Sequence, residues 1–432
     1  MTNNRPSNRS ENGTVDRRFV LRLAAGGGVA AAGIVASSNL SRAQEASPEP
    51  DVTPAASPVP METAAPQFAY AGFASRPAIE AGADPATTGI SVYSIDPDTG
   101  ALTEIQALGS DNAFFFAFDP SERFLYVVNV IADYEGGDTG SVEAYAIDGD
   151  TGMLTFLNRQ SSGGAVAAHL SVDPGGRHLV VANYNGMNFV VLPINEDGSL
   201  EPVISEVVID GSGPNPDRQT MSHPHAVTYD PAGNFIAGAD LGVDKVFIFK
   251  LNTETSELEH VSEVSTAPGA GPRHVVFNEE GTLLYVVNEL NATITLYAYD
   301  SATGTIGEEL QTIATVPEPY VGTKSTAEIF IHQSGNFLYN SNRGLEGFET
   351  PEGDAIVAYT IDQETGELTL VQHQMDAIEM PENFAFDPTG TWLYAANANG
   401  ISQHLIDQET GMLTFTGNLV ETPKVFVILT RG

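Results

Sequence analysis

One twelve-residue pattern recurs along this chain, and it constrains the fold more than any other feature. The pattern runs Asp-Pro-x-Gly-x-apolar-apolar-Tyr-apolar-apolar-Asn, with one apolar residue before the Asp. It reads FDPSERFLYVVN at 118–129, VDPGGRHLVVAN at 172–183 and YDPAGNFIAGAD at 229–240. It returns as FNEEGTLLYVVN at 277–288, IHQSGNFLYNSN at 331–342 and FDPTGTWLYAAN at 386–397. The copies stand 48 to 57 residues apart. A period of that size, written in short strands and turns, marks a radial repeat in which neighbouring units complete one another's core.

A second signal falls inside each period. Asp-x-x-Thr-Gly-x-Leu occurs as IDPDTGALT from Ile95, IDGDTGMLT from Ile147, IDQETGELT from Ile361 and IDQETGMLT from Ile406. Looser forms begin at Ile194, Leu251 and Tyr299, which makes seven. Asp, Thr and Gly supply the chemistry of a tight turn between two strands. Each period therefore reads as four strands; in the clearest copy they fall at 274–278, 284–288, 293–299 and near 310–316. No stretch keeps a helical period. Four-stranded antiparallel blades set around an axis make an all-β propeller.

Seven Thr-Gly turns against six Asp-Pro copies leave one blade split. Its second, third and fourth strands read from 68–72, 90–95 and 102–108. Its first strand is then 425–429, so the C-terminal strand closes the ring inside the N-terminal blade and removes the exposed sheet edges. The expectation is a seven-bladed β-propeller over 67–432.

The N-terminus reads differently. Arg17-Arg18-Phe19-Val20-Leu21-Arg22 is a twin-arginine pattern, followed by a weakly apolar Gly/Ala-rich run to Ala36. Ser41-Arg42-Ala43 suits signal cleavage, and the apolar run is too short for a stable membrane span. Residues 1–43 are therefore expected to be a twin-arginine signal segment that exports the protein to the periplasm or outside the cell. Residues 44–66, rich in Pro, Ala and acids, read as a disordered linker.

Charge narrows the partners. The chain carries 18 basic and 56 acidic residues, a net of −38. From Gln44 onward 12 basic and 54 acidic residues remain, a net of −42. Such a surface repels nucleic acid and anionic membranes. There is no cysteine, so no disulfide, thiolate metal site or lipidated cysteine is possible. The chain is expected to be a monomer.

The register of the repeat places residues at the axis. The innermost strands begin with Phe114-Phe115, Ala168-His169, His225-Ala226, Arg273-His274, Ala327-Glu328 and Glu382-Asn383. The second strands, antiparallel to these, end next to Val130, Tyr184, Leu241, Glu289, Arg343 and Ala398. A funnel lined by His169, His225, Arg273, His274, Glu289, Glu328 and Arg343 follows. Only eight arginines come after Gln44, and Arg273 and Arg343 both fall at this mouth. Two arginines there suit an anion or a developing oxyanion. The bland alternative is that Arg273 merely pairs with Glu289 and Arg343 with Glu328. His225 follows an irregular loop over 211–221, where ligand contacts commonly arise. His223 and His225 lack a convincing third ligand for zinc, the Asp-x-x-Thr-Gly runs are turns rather than calcium loops, and neither a nucleophile elbow nor a P-loop occurs.

The runs SHPHAVTYDPAGNFIAGADLG, GAGPRHVVFNEEGTLLYVVNEL, AEIFIHQSGNFLYNSNRG and ENFAFDPTGTWLYAAN together resemble the 6-phosphogluconolactonases of the seven-bladed propeller type. That family also includes the fungal carboxy-cis,cis-muconate cyclases. The resemblance covers nearly all of 67–430 and implies lactone chemistry without a cofactor or metal. It also implies that His225, Arg273, Glu289 and Arg343 form the catalytic set. A base, Glu289 or His225, would activate water, and the arginines would hold the substrate anion and the oxyanion. His169, His274, Glu328 and Tyr184 are expected to bind the substrate, a lactone or sugar acid.

Three departures stand out. Ala167-Ala168 precedes His169 where relatives often have Pro-Cys, and Val130 stands where many have Glu. The third is export itself, because 6-phosphogluconolactone is a cytosolic metabolite. Alternative readings are a muconate-cyclase-like lyase or isomerase, and a propeller that binds a ligand without chemistry.

Overall fold

A computed structural model describes residues 66–317, 325–344 and 353–432. The twin-arginine segment and all of the linker except Pro66 lie outside the described residues.

Seven four-stranded antiparallel sheets form the seven blades of a propeller. Blade 1 is split as the sequence predicts: the closing strand Val425–Arg431 pairs with Gln67–Phe73, followed by Gly89–Ile95 and Leu102–Gly109. Blades 2 to 7 then follow in chain order, their innermost strands at Ala113–Phe118, Ala167–Val172, Pro224–Tyr229, Pro272–Phe277, Thr326–Ile331 and Asn383–Phe386. The fourth strand of blade 5, Thr305–Ala314, starts earlier than the expected 310–316. Among the described residues, a short α-helix, Ser75–Glu80, and a 3-10 turn, Tyr134–Gly136, interrupt the β pattern.

The core is divided rather than central. Seven apolar clusters occupy the seven seams between adjacent blades. One seam brings Tyr285 and Val287 of blade 5 against Ile329, Leu338 and Val357 of blade 6. Sheets packed face to face around a ring bury their faces in the seams, so the axis is left for other uses.

The repeated motifs lie together on one face, the turn face, and each residue has a task. The motif Asp accepts the backbone N–H five residues on, as in Asp119 with Phe124 (2.7 Å) and Asp387 with Trp392 (2.6 Å). The motif Tyr donates its O–H across the seam to the turn carbonyl of the next blade. Tyr70 reaches Gly152, Tyr126 Gly198, Tyr285 Gly366, Tyr339 Gly411 and Tyr394 Gly100, at 2.6 to 3.0 Å. The two blades without this Tyr use serines: Ser205 donates to the Ser256 carbonyl and Ser262 to that of Gly304. All seven seams thus carry the same bond, each contributing about 1 kcal/mol.

The opposite ends of the inner strands are irregular. Six of the seven inner strands slip register at their start, between Ala113 and Phe115, for example, and between Pro272 and His274. In a regular strand, neighbouring side chains point to opposite faces. A bulge re-aims the extra residue, so two successive side chains can face the axis. This is how a pair such as Arg273-His274 serves one channel.

Candidate active site

The paired residues form two tiers. The outer tier, at the mouth, holds Phe114, His225, Arg273 and Glu382, with Phe426 from the closing strand. The inner tier holds Phe115, His169, His274, Glu328 and Asn383.

The outer tier is an ion network. Arg273 Nη2 donates to Glu382 (3.0 Å), and its Nε lies 3.2 Å from Glu289 without the alignment of a hydrogen bond. Arg343 bridges the same two acids, donating through Nη1 to Glu382 and through Nη2 to Glu289 (3.2 Å). Arg218 Nη2 donates to Glu289 (2.7 Å) and to the Tyr184 hydroxyl (3.3 Å). Lys424 Nζ lies 3.9 Å from Glu382. Burial alone would raise the pKa of Glu289, but Arg343, Arg273 and Arg218 outweigh it and hold the acid below its ordinary value. The same contest at Glu382, won by Arg343, Arg273 and Lys424, brings that acid down to about 2. Four cations surround two carboxylates, so the mouth is locally positive in an acidic chain.

Arg218 is held in place by its neighbour. Gln219 is fully buried and donates to Asp244 Oδ1 (2.6 Å) and to the Leu241 carbonyl (2.8 Å). Asp244 also accepts the N–H groups of Gly269 and Gly271, just before Arg273. The loop over 211–221 and the approach to blade 5 are therefore tied together, and Arg218 projects from a fixed base with a third of its side chain exposed.

The histidines sit beneath and beside this network. His225 is buried; its ring meets those of Tyr184 and His274 edge-on, and its Nδ1 has no hydrogen-bond partner. Burial first, then Arg273 and His274, hold it well below the usual imidazole value, so it is neutral near pH 7. His169 stacks on Phe115 at 3.9 Å and meets His274 edge-on at 5.0 Å. On the far side of Lys424 from the arginines, Phe426 carries that ammonium over its ring at 5.5 Å and meets Phe114, with ring centroids 5.2 Å apart. One wall of the mouth is charged and the other aromatic.

The family model for the seven-bladed β-propeller lactonase matches residues 77–430. The chain belongs to the seven-bladed β-propeller lactonase family. A 6-phosphogluconolactonase of Bacillus subtilis is 33% identical over 338 residues, 78% of this chain and 92% of that protein. One from Formosa agariphila is 30% identical over 334 residues, 76% of this chain and 90% of that protein. The solved structure of a periplasmic gluconolactonase from Pseudomonas aeruginosa superposes with a TM-score of 0.76 at 26% identity, covering 85% of this chain and 99% of that one. Among the described residues of this lactonase, no helix is long and apolar enough to cross a membrane.

The structure brings His225, Arg273, Glu289 and Arg343 to one mouth, with Tyr184 on its rim. It puts His169, His274 and Glu328 one tier deeper, all buried. The alternative pairing of Arg343 with Glu328 does not occur: Arg343 bonds Glu382 and Glu289, whereas Glu328 bonds His274. Glu328 is the second residue of its bulged pair and sits below the mouth; Glu382 is the first of its pair and meets the arginines. Sequence reasoning missed Arg218 and Lys424 and gave Glu382 no task. Arg218 was findable as one of eight arginines, in the very loop singled out as irregular. Lys424 follows the last motif copy, so the repeat gave it no register.

Proposed function

We propose that this chain is an exported lactonase that opens a sugar lactone to its hydroxy acid at the mouth, using side chains alone. One observation carries the reading: in a chain of net charge −38, four cations ring the mouth beside a neutral, buried imidazole. Lactone hydrolysis asks for that combination. Water adds to the ester carbon, the carbonyl oxygen becomes an oxyanion, and a base takes the water's proton.

His225 is the favoured base, because its Nδ1 is unpartnered while both Glu289 oxygens are engaged by guanidinium groups. Arg273 keeps one N–H on Nη2 and Arg343 one on each Nη beyond those already engaged, and these would meet the oxyanion. Collapse of the tetrahedral intermediate breaks the ring C–O bond, and the proton held by His225 passes to the departing alkoxide. Arg218 and Lys424, the more exposed cations, would receive an acidic group elsewhere on the substrate. A divalent metal at this mouth would be opposed by all four cations.

The names of the relatives support sugar lactones as the substrate class. The periplasmic address of the Pseudomonas aeruginosa protein accords with export, for which Arg17-Arg18 and the run after them offer the twin-arginine route. The protein would then act as a monomer outside the cytoplasm. One observation favours a second reading, a cyclase-like lyase or isomerase acting on a carboxylated non-sugar lactone: Phe114, Phe426 and Val130 offer no hydrogen bonds to sugar hydroxyls.

The test is acid release by purified 44–432 from 6-phosphogluconolactone, gluconolactone and muconolactone, corrected for spontaneous opening. Turnover of a sugar lactone, lost in His225→Ala, is expected. Turnover of muconolactone alone would favour the second reading, and no turnover on any of the three would leave a binding propeller.

A further inference from the structure

The inner tier contains a hydrogen-bonded chain that ends on Arg273, and its atoms fix its direction. Arg273 Nη1 lies 3.1 Å from His274 Nε2. A guanidinium nitrogen can only donate, so His274 Nε2 accepts and carries no proton. The imidazole is neutral, because burial and then Arg273 and Arg343 hold its pKa well below the ordinary value. Its one proton must then be on Nδ1, which donates to Glu328 Oε1 at 2.8 Å. Glu328 Oε1 also accepts the Ile329 N–H (3.0 Å), and Oε2 accepts from Asn383 Nδ2 (2.7 Å). Asn383 Oδ1 in turn accepts the N–H of Ile428, on the closing strand (3.0 Å).

This accounting leaves His274 no free nitrogen and Glu328 no free oxygen with which to meet a substrate. From these bonds we infer that His274, Glu328 and Asn383 are positioning residues: a brace, anchored on the closing strand, that aims the Arg273 guanidinium into the mouth. Arg273 Nη1 has a second fixed partner, the Ala327 carbonyl at 2.8 Å. The brace therefore holds one corner of the guanidinium from below, and Nη2 and Nε face the two outer-tier acids. The closing strand thus serves the site as well as the ring. This inference rests on the proposed role of Arg273 toward the lactone; the orientation of the brace does not.

Two measurements separate those two claims. The first needs no substrate: nitrogen-15 NMR of histidine-labelled protein, with His274→Gln used for assignment. The expected spectrum shows His274 as the neutral Nδ1–H form from pH 5 to 8, with a hydrogen-bonded Nδ1–H proton that shifts in Glu328→Gln. An Nε2–H form, or a charged ring, would overturn the brace whatever the enzyme does. The second measurement is kinetic. Glu328→Gln is expected to lower kcat by about 10- to 100-fold with KM nearly unchanged, the mark of a misaligned group rather than a lost substrate contact. His274→Gln, whose amide can accept from Arg273 and donate to Glu328, should keep most of the activity that His274→Leu loses. A raised KM at constant kcat in Glu328→Gln, or equal losses in the two His274 variants, would also overturn it. If the wild type opens no lactone, the functional reading fails, and the brace stands or falls on the NMR result alone.

Discussion

The two faces of the ring are built from the ends of the same strands, yet they follow opposite rules. On the turn face every blade repeats one solution, and all seven seams are joined by a hydroxyl-to-carbonyl bond. On the mouth face the equivalent positions hold Phe114, Ala168, His225, Arg273, Ala327 and Glu382, five residue types in six places and no shared motif. Repetition marks what each blade needs in order to pack against the next. Where it breaks, the blade is no longer serving its neighbour, and the site is found there.

The sharpest test of this division is Arg273→Ala. It removes a buried cation from two buried acids, a loss of about 3–5 kcal/mol in unfolding free energy. It also removes a proposed oxyanion donor, for which kcat/KM should fall by about 10²- to 10³-fold. Urea unfolding and lactone kinetics on one preparation would measure both. A variant that is destabilised but fully active would show that the mouth's charges are structural, erasing the distinction between the faces.

The next effect depends on pH. Burial, working against Arg273, pushes Glu328 up to about 7 from an ordinary 4.5, beside His169 and His274 and below Arg273. An acid with a raised folded value contributes stability that is full below pH 4.5 and is lost as pH rises through about 7. Glu328→Gln cannot titrate. Its unfolding free energy should therefore fall less than the wild type's between pH 4.5 and 7, by on the order of 2 kcal/mol. Equal slopes in urea titrations at the two pH values would mean that Glu328 does not hold its proton there.

The turn face supplies the control. Tyr285→Phe deletes the bond to the Gly366 carbonyl and leaves that acceptor buried between blades 5 and 6. The expected cost is about 1–2 kcal/mol, with kcat/KM unchanged. A matching drop in activity would imply that the seams transmit strain to the mouth.

The same contrast explains what could be read in the sequence. The Asp-Pro and Thr-Gly signals are local chemistry: a carboxylate that needs an N–H five residues on, and a glycine at positive φ in the turn, such as Gly366 at +77°. They spell out blades, strand order and the closing strand directly. Arg273 and Glu289 were legible because the motif's register carries each of them to the mouth. Their partners were not, because pairing depends on tier, and tier is set by a bulge that shifts the chain by one residue. Hence the only acid that the alternative reading could offer Arg343 was Glu328, although Glu382 is the acid that reaches it. Arg218 comes from a loop held by Gln219 and Asp244, contacts that no repeat encodes.

Lys424 is the case in which the comparison is most easily broken. By every structural measure it resembles a surface residue: a third of its side chain is exposed, its ammonium is 3.9 Å from Glu382, and it lies over the Phe426 ring at 5.5 Å. Glu382 is buried but already held by Arg273 and Arg343, so this longer contact with a partly exposed ammonium adds about 0–1 kcal/mol, and Lys424→Met should melt almost with the wild type. Its position says otherwise about function, since it stands at the junction of the charged and aromatic walls. If it receives the acidic group of the substrate, KM for an anionic lactone should rise by roughly 3- to 10-fold, equivalent to about 1 kcal/mol. A neutral lactone should be unaffected. A KM that moves equally for both would remove charge recognition from Lys424, and an unchanged KM would return it to the surface.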